Sequence, residues 1–347
     1  MTRARAGVWL LLSIALVAAL GGWHLFSSLP SADGAQVVVG AVVVKDEYDP
    51  ASLYRIEADA GRDGWTADRA LAAARLWTRL GSPATAAVYL ERADDSLAVR
   101  RALAETYLVL GEWARAQAVL TPLERTDDDG TAAWAALQLG LLLSASQPDD
   151  ARLYLERASV DTGYARAVSP LLAVLAVTSN PTRIALVLAQ IEQWALVEYA
   201  LDNAADDPIA LALTALARTV QGKDGVAHLR TALLWAPDDP QVRLLAGLVY
   251  REREQYDASL SALIMATALD PDDPLLYAEL GTAYQLHGDL VTAERWLQYA
   301  VALSGGDARF VDRVEALRGY EQTLSAALEA MIAGERLSPS VTTQPSP

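Results

Sequence analysis

Cysteine is absent from all 347 residues, which excludes disulfides, thiolate metal sites and cysteine nucleophiles. Lysine is confined to Lys45 and Lys223, phenylalanine to Phe26 and Phe310, and histidine to His24, His228 and His287. The histidines are far apart and show no ligand-type spacing, so a metal centre has no sequence support. Positive charge is scarce: 28 basic residues against 44 acidic ones leave a net charge of −16. No basic patch interrupts this balance, so nucleic acid is excluded as a partner. A phosphate-binding loop, a dinucleotide-binding glycine pattern, a nucleophile elbow and a zinc-protease histidine pair are all missing. The expectation is a chain with no catalytic residues, no cofactor and no metal.

Alanine and leucine dominate a chain that is 52% hydrophobic. Both lose little side-chain freedom in a helix, and the composition favours an all-α fold. Arg3 and Arg5 precede an uncharged stretch from Ala6 to Ala32 whose apolar part runs from Gly7 to Phe26, with Trp9 and Trp23 near its ends. About 20 apolar residues suffice to span a bilayer. The expectation is one transmembrane helix within residues 1–29, the N-terminus cytoplasmic and the remainder extracytoplasmic. A cleaved signal peptide, giving a secreted chain, is the alternative. Residues 30–66 read as a linker with a β-prone run, Val37–Val44, and a short helix from Pro50 to Ala60 that ends at Gly61.

Self-similarity organises the rest. Segments 240–273 and 274–307 align without gaps at a spacing of 34 residues, pairing Gly247 with Gly281, Tyr250 with Tyr284, Leu263 with Leu297, Ala266 with Ala300 and Leu269 with Leu303. An Asp-Asp-Pro sequence opens each unit. Acidic residues beside proline recur at such boundaries, also at Pro148 and Pro208, and they read as helix starts rather than metal sites.

Tyr277, Leu280, Gly281, Tyr284, Gly288, Ala293 and Ala300, with Pro271 in the unit before, resemble the tetratricopeptide repeat family in type and spacing. The resemblance implies an all-α, tetratricopeptide-like α-solenoid, a right-handed superhelix of helical hairpins, preceded here by the transmembrane helix. Units are expected at 67–96, 97–130, 131–160, 181–207, 208–239, 240–273 and 274–307. A single helix at 162–179, interrupted at Ser169-Pro170, separates two of them. A capping helix at 308–337 and a disordered tail at 338–347 complete the chain. The small residues should let paired helices approach, with Gly281 facing Ala293 and Ala300, and Tyr284 and Leu297 filling wider gaps.

The resemblance also implies peptide or protein binding on the face lined by first helices. Its matching positions are Leu244, Leu248, Arg251, Ala278, Thr282 and Gln285. They depart from the Lys and Asn with which some family members clamp a carboxylate. Leu244 and Leu248 offer an apolar surface, or else pack within the stack. The reading is a non-catalytic, membrane-tethered scaffold for a protein or peptide partner. The alternative is an accessory subunit of an envelope enzyme complex acting on glycan or cell wall.

Overall fold

The computed structural model describes residues 50–204 and 206–336, and among them there are seventeen helices and no strands. Contacts divide the described residues into two compact units, one ending at Lys223 and the other beginning at Asp224.

In the unit that ends at Lys223, helices α1 (Pro50–Asp63), α2 (Ala67–Arg79), α3 (Pro83–Glu91), α4 (Leu97–Leu110) and α5 (Trp113–Leu123) come first. Then follow α6 (Asp129–Ser144), α7 (Pro148–Ala158), α8 (Thr162–Leu175), α9 (Pro181–Gln190), α10 (Trp194–Ala200) and α11 (Pro208–Val220). Helices α2/α3, α4/α5, α6/α7 and α9/α10 pack pairwise as hairpins. Small residues make this approach possible: Ala74, Ala86, Ala104, Ala116, Ala151 and Ala185 are all buried. Helix α1 runs through Gly61 and stops before Gly64, whose φ of +90° is left-handed. The Tyr89 hydroxyl donates to Glu57 across 2.6 Å and ties α1 to α3, which accounts for the extra turn. Helix α8 is continuous across Pro170, since the burial of Val168 and Leu171 holds its two halves in line.

In the other unit, α12 (Val226–Trp235) is followed by α13 (Pro240–Glu252), α14 (Tyr256–Leu269), α15 (Pro274–His287), α16 (Leu290–Leu303) and α17 (Ala308–Arg336). Hairpins α13/α14 and α15/α16 stack in sequence, and α17 packs on α16 and α15. Asp239, Asp273 and Asp307 stand 34 residues apart, and each accepts from a backbone N–H two residues on. Helix α17 therefore starts in register as the first helix of a further repeat. Its buried Phe310, Val314 and Leu317 occupy the places of Leu276, Leu280 and Ala283. Where α13 and α15 carry glycine, α17 carries exposed Glu315, and no helix among the described residues presses on that face.

The single-pass membrane placement expected from the N-terminal stretch is corrected. Among the described residues no helix is long and apolar enough to cross a membrane. A 30 Å hydrocarbon layer needs roughly 20 apolar residues, whereas α17, at 29 residues, is studded with charge. The stretch 6–32, the run Val37–Val44 and the tail 338–347 lie outside the described residues.

Candidate functional site

The seams of three hairpins, α6/α7, α13/α14 and α15/α16, are built on one kind of contact. A Cβ placed on Gly281 would fall 2.8 Å from Leu297 Cγ and 3.0 Å from the Ala293 carbonyl oxygen. On Gly247 it would fall 2.6 Å from Leu263 Cγ, and on Gly140 2.6 Å from Leu155 Cγ. Glycine is needed here because leucine, not alanine, closes over it, so the partner of Gly281 is Leu297 with the backbone of Ala293. Ala266, Ala293 and Ala300 are buried, and Ala300 packs with Phe310 and Val314 rather than against the glycine. Tyr250 and Tyr284 are half-buried, and Tyr284 lies against Leu297 and Leu263.

These glycines give a common register for the groove positions, three residues before and one and four residues after. In α13 they are Leu244, Leu248 and Arg251; in α15, Ala278, Thr282 and Gln285; in α6, Leu137, Leu141 and Ser144. Leu244 is half-buried and packs against Leu263, Leu280 and Ala283. Ala278 is fully buried among Tyr277, Ala293 and Phe310, so it reaches no partner. Leu248, Arg251, Thr282 and Gln285 keep partial exposure. The Thr282 hydroxyl donates to the Ala278 carbonyl, a local bond that leaves the face unoccupied.

An ion-paired cluster forms the floor of this face. Glu279 accepts from Arg251 Nη1 and from Arg313 Nη2, each at 2.8 Å. It joins α13, α15 and α17, three first helices. Burial pushes the Glu279 carboxyl up, but the Arg313 and Arg251 charges and hydrogen bonds overcome it and hold the pKa at about 2. Periodicity alone does not disclose this cluster. Glu279 and Arg313 share one repeat position 34 residues apart, which is the signal that could have found it.

The same face of α6 is filled. Leu137, Leu141 and Ser144 are all buried, as is Trp134. Helices α8 and α10 both pack on α6, and Tyr164 of α8 joins its core. The Tyr199 ring of α10 lies 5.4 Å from that of Trp113. Among the described residues the first-helix face is covered at α6, whereas Leu248, Arg251, Thr282 and Gln285 of α13 and α15 keep partial exposure.

Among the described residues no group of three or more His, Asp or Glu is placed to hold a metal ion. A cleft of about 570 Å³ lined by Gln117, Glu124, Leu143, Tyr154 and Arg157 is an open surface feature. Its Glu124 is engaged by Arg157. His287 stands exposed, its Nε2 at 3.2 Å from Asp257 Oδ1. Asp207, Asp239 and Asp273, beside their prolines, cap helices, and Asp149 and Asp150 lie in the first turn of α7.

Residues 247–288 match the family model described as TPR repeat, and residues 78–139 the model described as Tetratricopeptide repeat. No curated protein matches the chain. Solved structures similar to it include a chain of the APC/C hetero-tetramer Cut9–Hcn1, at 17% identity over 77% of this chain and 45% of that one, with a TM-score of 0.27. YrrB, titled a TPR protein with an unusual peptide-binding site, is 13% identical over 74% and 96%, with a TM-score of 0.26. The P58(IPK) TPR domain is 17% identical over 77% and 68%, with a TM-score of 0.29. This chain spans less than half the length of the Cut9–Hcn1 chain it matches. The two family-model matches fall on segments folded as helical hairpins, 78–139 and 247–288, and the likeness to tetratricopeptide repeats rests on them. Neither membrane tethering nor a role beside an envelope enzyme receives support from them.

Proposed function

We propose that this tetratricopeptide-repeat chain is a scaffold that receives a protein or peptide segment on the first-helix face of α13, α15 and α17. Repeats of this kind imply protein interaction, and proteins built from them are generally non-catalytic scaffolds. One contrast supports the location. The groove positions of α6 are buried under the chain's own helices, while Leu248, Arg251, Thr282 and Gln285 remain accessible at the equivalent positions. Leu248 supplies an apolar seat, and Thr282 and Gln285 supply polar groups that orient an extended or helical segment.

The experiment is site-specific photocrosslinking in cells of the natural source. A photoreactive residue replacing Gln285 should trap a discrete partner, and the same residue at exposed Val160 should not. Adding Leu248→Glu should abolish the Gln285 product. Identical products from both positions would overturn the assignment.

A further inference from the structure

Helices α12, α14 and α16 occupy equivalent places in the repeat, since Leu229, Leu263 and Leu297 recur at 34-residue spacing and all are buried. The opposite faces of these helices are unusually apolar. Leu234 and Trp235 of α12 are 76% and 51% exposed, and Ile264, Met265 and Leu269 of α14 and Tyr299 of α16 are also exposed. Trp235 and Leu269 hold one repeat position, as do Met265 and Tyr299, so neighbouring second helices set them in adjacent rows. Tyr299 also packs edge-on against Tyr277 of α15 at 4.6 Å, whereas the glycine seam is closed by the inward Leu263 and Leu297. Contiguous exposed apolar surface of this kind marks an interaction site.

The strip has negative charge at its far end. It ends where α12 and α14 end, and helix C-termini carry partial negative charge. The loops that follow add Asp238, Asp270 and Asp272. Of the nearby cations, Arg243 donates to the Pro237 carbonyl across 2.6 Å, while Arg230 and Arg295 lie further back along their helices. An anionic lipid surface would be repelled by this rim, and an acidic peptide likewise. Apolar side chains at matching positions of successive second helices suit a further helix packed by its side-chain ridges.

We infer that this outer strip is a second docking surface, separate from the first-helix face, and that its occupant is a cationic amphipathic helix of a protein partner. Apolar residues of that helix seat on Trp235, Met265 and Leu269, and its Lys or Arg side chains meet Asp238, Asp270 and Asp272.

The test uses the full chain and a fluorescent Leu/Lys amphipathic helical peptide. Its comparisons are a Leu/Glu peptide with the same apolar face and vesicles of anionic phospholipid. The Leu/Lys peptide should bind, and the other two should not. The double variants Trp235→Ser with Met265→Ser, and Asp270→Asn with Asp272→Asn, should each weaken binding at least about tenfold, equivalent to ~1.4 kcal/mol. Val160→Ser with Val177→Ser, exposed apolar sites elsewhere, should leave it unchanged. Equal binding of both peptides, indifference to the strip variants, an equal loss in the Val160/Val177 control, or strip-dependent binding of vesicles would each overturn the inference.

Discussion

Leu297 sits directly over Gly281, its Cγ only 2.8 Å from the point where a Cβ on that glycine would lie. The same leucine-on-glycine contact recurs at Leu263 on Gly247 and at Leu155 on Gly140. At Gly281 it sets the spacing of the hairpin more strictly than the surrounding alanines do, because that glycine also lies under the Ala293 carbonyl, which cannot swing aside.

Gly281 and Gly319 therefore respond oppositely to the same change. Both are helical, but a Cβ on Gly319 meets nothing within 4 Å. Gly319→Ala should stabilise by up to about 1 kcal/mol through helix propensity. Gly281→Ala should lose that gain and about 1–3 kcal/mol more to overpacking. Thr282→Ala, next door on the open face, should change stability by less than about 0.5 kcal/mol. Chemical denaturation of the three variants measures this, and equal shifts for both glycines would sink the seam contact.

Glu279 makes stability pH-dependent with a defined sign. Its folded pKa of about 2 lies below the ordinary value of 4.5, so its contribution is fully present above pH 4.5 and drains away as pH falls toward 2. Glu279→Gln should cost about 3–5 kcal/mol near neutrality, because two largely buried guanidinium groups lose their shared counter-charge. It should also flatten the stability profile across that acid window. Parallel profiles for both chains between pH 6 and 3 would contradict the assignment.

Glu254 holds a φ of 59° at the repeat position where Gly288 holds 95°. The turns are otherwise alike, with the Gln255 and Asp289 amides each donating to a tyrosine carbonyl at 2.9 Å. A left-handed non-glycine residue costs about 1–2 kcal/mol, partly offset by the chain entropy that glycine brings. Glu254→Gly should raise the melting midpoint, and Gly288→Glu should lower it. Melting curves that move the other way would show that the turn is not strained.

Leu141 and Leu248 occupy the same repeat position with opposite surroundings, one buried beneath the chain's own helices and one half-open. Leu141→Ala should cost about 2–5 kcal/mol as a core deletion, while Leu248→Ala should cost less than about 1 kcal/mol. If the two losses are equal in urea titrations, the α6 face is not filled from within.

Much of this was legible in the chain itself. Helices start where aspartate precedes proline, and pairs form where glycine or alanine recurs at fixed distance from leucine, because these are local and periodic constraints. The exact 34-residue return of Asp239, Asp273 and Asp307 even marks the terminal helix as a repeat's first half. What reading along the chain missed were long-range placements: that Leu297 rather than Ala300 meets Gly281, that Ala278 is enclosed, and that Glu279 is shared by arginines from two other helices.

Residue order alone determined the helical class and the repeat length, since propensity, capping and small-residue spacing act within a few turns of backbone. Tertiary structure decided which first-helix face stays open. Leu137 and Leu141 of α6 match Leu244 and Leu248 of α13 residue for residue, so composition does not separate those positions, and only Ser144 against Arg251 differs. Only the return of α8 and α10 onto α6 removes one set from water, and burial is a property of what the rest of the chain brings alongside.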